Sequence, residues 1–185
     1  MKIVKRISDG LVLFAGNDLS IDNDSVNGAG WTFEKIDVTL LTIEDVDALP
    51  EFFITGGWTY QNGEWTTTAT GDDYMLPQKR AKKIAELEAA RLALEYSDIV
   101  HDEKTWKADK PARELLAQVL APGSVRENAY WRDAGNVKRT MTYADLQALG
   151  KAISDRGYDA DENLETKRAA VNAALTAEEI DAVTW

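Results

Sequence analysis

The residues that could do chemistry in this chain are few and scattered. His101 is its one histidine, and there is no cysteine. Thiol catalysis, disulfides and thiolate metal sites are thereby excluded. A zinc site would rest on carboxylates and a single imidazole, a poor donor set for that metal. His101 with Ser97 or Ser124 and an acid would formally compose a nucleophilic triad. No G-x-S-x-G turn presents either serine, however. The histidine lies beside Asp102, Glu103 and Lys104 in an expected hairpin, so a surface strand position is the simpler reading.

The acidic stretch NDLSIDNDSVNGAG fails two further tests. Counted from Asp22 with Asp24 as the third position, a calcium loop needs an oxygen ligand, a glycine and a glutamate where Val26, Asn27 and Phe33 stand. Gly28 and Gly30 open a dinucleotide fingerprint whose next glycine position is Phe33, and an acidic loop precedes it where a strand is required. Among the 32 acidic residues no pair stands out as general acid and base. Asp133 is expected to pair across a hairpin with Arg132 or Lys138. The chain therefore reads as a non-enzyme, with no catalytic, cofactor-binding or metal-binding residues and no cofactor. A carbohydrate-active acid pair is the competing enzymatic reading.

What remains conspicuous is aromatic. Of the 6 tryptophans, Trp106 and Trp131 suit core packing of small sheets. Trp58, Tyr60 and Trp65 could instead form a partner-binding face, since Trp and Tyr dominate interface hot spots.

Composition sets the frame for those residues. The 185 residues, 44% hydrophobic and 29% charged, describe an ordinary globular protein of one large or two small domains. The net charge of −11 is unevenly placed. Met1 to Leu76 carries 4 Lys and Arg against 13 Asp and Glu, and the remainder 17 against 19. So acidic a first part repels phosphate backbones, and no nucleic acid is expected as a partner. No window is long and apolar enough to span a membrane, and MKIVKRISDG lacks the apolar stretch of a signal peptide. A cytoplasmic protein is expected.

The fold class read from the chain is α+β: a small N-terminal β-domain over residues 1–70, a connecting helix over 77–96, and an α+β module of hairpins and short helices over 97–185. KIVKRI and LVLF flank a glycine turn, and Trp31–Leu40 gives a weaker strand. Asn62 and Gly63 supply the positive φ that a tight hairpin needs between Trp58 and Trp65. Asn17–Gly30 reads as a loop, and Thr70–Asp73 as the start of a linker. Helix formers follow Pro77, itself placed in a first turn. Beyond Ser97 come a hairpin turning at Asp102 and Glu103, then a helix capped by Asp109 with Pro111 in its first turn. A second hairpin follows around Asp133–Asn136, then a helix from Thr142, another over about Asp161–Ala174, and a last short one from Thr176.

Thr105, Trp106 and Asp109, then Arg113 and Leu115, then Trp131, Asn136, Met141, Thr142, Leu146 and Ile153, then Lys167, Ala170, Thr176 and Ile180 form a longer pattern. From about Pro77 to Val183 it resembles the C-terminal module of tailed-phage tail fibre assembly proteins. The segment KIVKRISDGLVLFAGNDL and the Trp58–Trp65 hairpin are similar to β-domains that precede that module. The resemblance implies a bacteriophage chaperone that binds the trimeric tail fibre protein and promotes its folding in the host cytoplasm. In some members it stays on the fibre tip, as part of the virion tail. It brings no catalytic residues. The alternative it leaves open is a structural tail or baseplate component without chaperone activity, and a homo-oligomer is compatible with either.

Overall fold

The computed structural model describes residues 1–185, and the chain divides into two compact units, 1–81 and 82–185. The fold is α+β.

In the first unit, β1 (Lys2–Arg6) is the central strand of an antiparallel sheet. It lies between β2 (Val12–Gly16) and β6 (Leu41–Asp45). Successive strand residues point to opposite faces, and both faces of β1 are covered. Ile3 joins Val12 and Val46 beneath Phe53, Tyr60 and Trp65, whereas Val4 joins Leu19 and Val26 beneath Phe14, Ile36 and Ile43. The first of these layers is roofed by the hairpin β7 (Trp58–Gln61) and β8 (Glu64–Thr67), whose turn holds Asn62 at φ 52 and Gly63 at φ 86. The second rests on a further sheet, β3 (Ser20–Asp22), β4 (Ser25–Gly28) and β5 (Trp31–Glu34).

Here the expected loop over Asn17–Gly30 is corrected to two strands. Asn23, at φ 43, makes a tight turn between them, and Leu19 and Val26 supply the apolar anchors. The expected strand over Trp31–Leu40 is cut short at Glu34, because Lys35 takes φ 62 and a 3-10 turn follows over Val38–Leu40.

Helix α1 (Ala69–Glu95) begins earlier than Pro77 and absorbs the expected linker. Thr68 caps it: its hydroxyl accepts from the Gly71 N–H at 3.2 Å and donates to the Gly56 carbonyl at 3.1 Å. Gly71 is there for closeness, since a Cβ at that position would stand 1.9 Å from the Gly57 carbonyl oxygen.

In the second unit, β9 (Ile99–His101) and β10 (Lys104–Trp106) form one hairpin, and β11 (Tyr130–Arg132) and β12 (Lys138–Thr140) another. Between them runs α2 (Lys110–Leu120), capped by Asp109, which accepts from the Ala112 N–H at 2.9 Å. Trp106, Ala108, Leu116, Leu146, Leu149 and Ile153 make the core. The helices expected from Thr142 and over Asp161–Ala174 are one continuous α3 (Tyr143–Ala173). Gly157 costs a helix only about 1 kcal/mol, and nothing else between Arg156 and Asp161 breaks the turn. A short α4 (Ala177–Ala182) closes the chain, with a capping box between Thr176 and Glu179.

Arg156 ties α3 to the end of α1. Its guanidinium donates to the carbonyls of Glu95 at 2.9 Å, Ser97 at 2.8 Å and Asp98 at 3.0 Å.

Two substitutions test these assignments in opposite directions. Gly71→Ala is expected to destabilise the first unit by about 2–3 kcal/mol, through backbone displacement. Gly157→Ala, facing open space, is expected to stabilise α3 by ~0.5–1 kcal/mol. Urea unfolding followed by far-UV circular dichroism reads both. Arg156→Met, which removes the Arg156 donors from the Glu95, Ser97 and Asp98 carbonyls, is expected to lower stability by about 2–3 kcal/mol, read as earlier melting of the second unit's amides by NMR.

Candidate functional site

The histidine reading can be placed first. His101 ends β9, and its backbone carbonyl accepts the Trp106 indole N–H at 3.0 Å. It borders a cavity of about 360 Å³ with Lys104, Arg139 and Asp145. Asp145 is committed to the α3 cap: it accepts from the Thr142 N–H at 2.8 Å and the Thr142 hydroxyl at 2.7 Å. These bonds, the backbone one foremost, hold its carboxyl below the ordinary range. Ser97 donates to the Leu94 carbonyl at 2.8 Å, and Ser124 lies in a separate groove. Asp22 accepts from the Asn27 amide at 3.2 Å within the β3–β4 turn. Nowhere do three or more His, Asp or Glu side chains gather so as to hold a metal ion.

The aromatic candidates Trp58, Tyr60 and Trp65 are half-buried. Trp65 is the hub, with ring centroids 4.7 Å from Tyr60, 6.1 Å from Phe53 and 6.4 Å from Trp58. Tyr60 and Trp65 cover Ile3 and Val12. Lys5 fixes the hairpin from the side, donating to the Tyr60 carbonyl at 2.8 Å with its ammonium 5.0 Å from the Tyr60 ring centre. Rings elsewhere in this unit are more exposed. Trp31 is 41% and Phe33 54% exposed, both braced on Phe14 at 5.4 and 5.6 Å. They stand on β5, an edge strand whose residues are all exposed. Their signal in the sequence is two aromatics two positions apart, bounded by Gly30 and Lys35.

The second unit carries an open groove of about 590 Å³ between α2 and β11. Val119, Val125, Trp131 and Leu146 form its floor, and Leu115 and Tyr130, 52% and 40% exposed, are apolar side chains at its surface. Leu115 was the legible clue: beside Leu116 and four residues before Val119, it widens the apolar arc of α2 beyond what the core needs.

Asp133 shapes the β11 wall. It is 7% exposed and accepts from the Val137 N–H at 2.9 Å and Arg139 Nε at 2.8 Å. The expected partners Arg132 and Lys138 are thus corrected to Arg139. Arg132 instead donates to the Asn136 carbonyl at 2.7 Å, and Lys138 sits 4.5 Å from the Tyr130 ring centre. The Val137 bond and then Arg139 hold the Asp133 carboxyl below its ordinary range, against the opposing effect of burial. Next to this turn, the Ala134 N–H donates to the Thr105 carbonyl at 2.8 Å, docking one hairpin on the other.

Two hairpins, the turn of the second docked on strand β10 of the first, with α2 and the first half of α3 packed on one core, define a compact α+β module. The match to known families covers it whole. The chain belongs to the family described as a domain of unknown function, DUF4376, whose model matches residues 78–184. No curated protein and no solved structure matches the chain.

Because the folded-state pKa of Asp133 is depressed, its stabilising contribution is present above the ordinary aspartate range and is lost as pH falls through the folded value. Exchange protection of the Val137 amide is expected to hold through the ordinary aspartate range and to decline only as pH falls below it. In Asp133→Asn it is expected to be weak throughout and nearly flat with pH. Protection in the native chain that is already lost within the ordinary aspartate range would contradict the assignment.

Proposed function

We propose that this protein is a phage tail fibre assembly accessory, which binds the trimeric fibre protein and promotes its folding in the host cytoplasm. The observation that carries the reading is β5. It offers an unpaired backbone edge beside solvent-facing Trp31 and Phe33, on a first part whose charge balance is strongly acidic. An extended segment adding to such an edge gains main-chain hydrogen bonds, with the rings supplying the anchors. Unassembled fibre chains are β-rich and expose strand edges that aggregate before they trimerise. Covering one with a short strand would keep the chain soluble without a long template for further stacking. The Thr105-to-Ile180 pattern, which resembles the fibre assembly module, supports the same reading.

The test is co-expression with a trimeric tail fibre protein from the same genome. The expected result is a rise in soluble trimer and a complex that elutes together, with Trp31→Ser/Phe33→Ser weakening it at least about tenfold, as for interface anchors. No complex and no change in trimer yield would end the proposal. Normal fibre folding in its absence, together with stoichiometric presence in virions, would favour a structural tail component.

A further inference from the structure

We propose that the groove between α2 and β11 is a docking site for an acidic, apolar-anchored peptide segment of another protein. Charge complementarity carries the argument. In this unit cations generally meet carboxylates: Arg113 pairs with Glu95, Arg139 with Asp133, Lys151 with Asp155, and Arg168 with Glu88 and Glu165. Lys107, Arg126, Arg132 and Lys138 form no ion pair. The first three line the groove itself, and no acid shares that lining. Lys138 and Arg126 flank the Tyr130 ring, at 4.5 and 5.9 Å from its centre. In a chain of net charge −11, unpaired cations gathered around one opening select an anionic visitor.

The floor selects the rest of the ligand. At about 590 Å³ the groove lies within the range of sites that enclose a ligand, about 300–1,000 Å³. Its walls are apolar, and exposed Leu115 and Tyr130 would be desolvated by an occupant as large as a leucine or tryptophan side chain. A peptide with such an anchor in the trough and carboxylates beside it satisfies both features. A nucleic acid would meet the same few cations, but its phosphate backbone would be repelled by the net charge. The site lies wholly within the family-matched residues and shares none of them with β5, so it holds whether or not the fibre reading does.

Fluorescence anisotropy on the full chain tests it. The probes are a labelled octapeptide with a central Leu-Trp flanked by Asp and Glu, the same peptide with Lys for its acids, and one with Ser for Leu-Trp. The acidic, apolar peptide is expected to bind with a Kd on the order of 10–100 µM, and each control at least about tenfold more weakly. Arg126→Glu/Arg132→Glu, both exposed, is expected to lose about tenfold for the acidic peptide and to gain affinity for the lysine peptide. Leu115→Ser is expected to weaken the acidic peptide alone, and Trp31→Ser/Phe33→Ser to leave it unchanged. Equal binding of acidic and basic peptides, or affinities unmoved by the groove variants, would overturn the proposal. Tighter displacement of the peptide by laurate or by single-stranded DNA would do the same. So would self-association in sedimentation that Leu115→Ser abolishes, which would make a second copy the occupant.

Discussion

The second unit is organised by the carboxyl end of α1. A helix terminates in carbonyls with no intrahelical donors and a partial negative charge. At Glu95 to Asp98 those groups are met by two arginines from different elements. Arg156 of α3 donates to the Glu95, Ser97 and Asp98 carbonyls, while Arg113 of α2 donates to the Glu95 carbonyl and, at 2.9 Å, to its carboxylate. Burial and then the nearby Arg113 charge push the Arg156 pKa down, and the acids Asp98 and Glu95 push it back up. Two guanidinium groups tolerate each other there because the terminus supplies the counter-charge.

That constraint fixes where α2 and α3 start from, and their packing follows. Leu116 meets Leu146 and Leu149 in one cluster with Trp106. With α2 placed, the turn at Asp133 places the second hairpin, and the groove is the space left between them. Its apolar floor is continuous with the core cluster through Trp131, Val119 and Val125, so the groove is a core that one side leaves unfilled. The preference for an anionic occupant comes from a separate source, the missing acids around it.

Local chemistry made much of this legible. Asn62 and Gly63 announced a hairpin, Asp109, Thr142 and Thr176 announced helix starts, and each stands where its side chain demands. The failures share one cause: residues whose meaning is tertiary. Gly71 reads as a linker residue until the Gly57 carbonyl is seen against it, and the helices from Thr142 and over Asp161–Ala174 read as two until one is seen to run through. Asn17–Gly30 is too rich in turn formers for its short strands to show. The aromatic signal was read at Trp58, Tyr60 and Trp65, and their number did reflect an organised cluster. Which rings face outward depends on which sheet covers Ile3 and Val12, and no single-strand pattern contains that. The Asp133 partner was missed for a related reason, since the carboxylate bends back into its own turn and meets Arg139 from there.

The placement of β1 has a consequence for the order in which the molecule can assemble. The middle strand precedes both of its neighbours in the chain, yet one of them is β6, with Lys2 opposite Asp45 and Arg6 opposite Leu41. The amino terminus itself donates to the Val46 carbonyl at 3.1 Å. Until that later segment emerges, Ile3 and Val4 have at most the β2 hairpin to shelter them, and the central sheet waits on a contact distant in sequence. During synthesis the protein therefore passes through its own interval of uncovered strand edge.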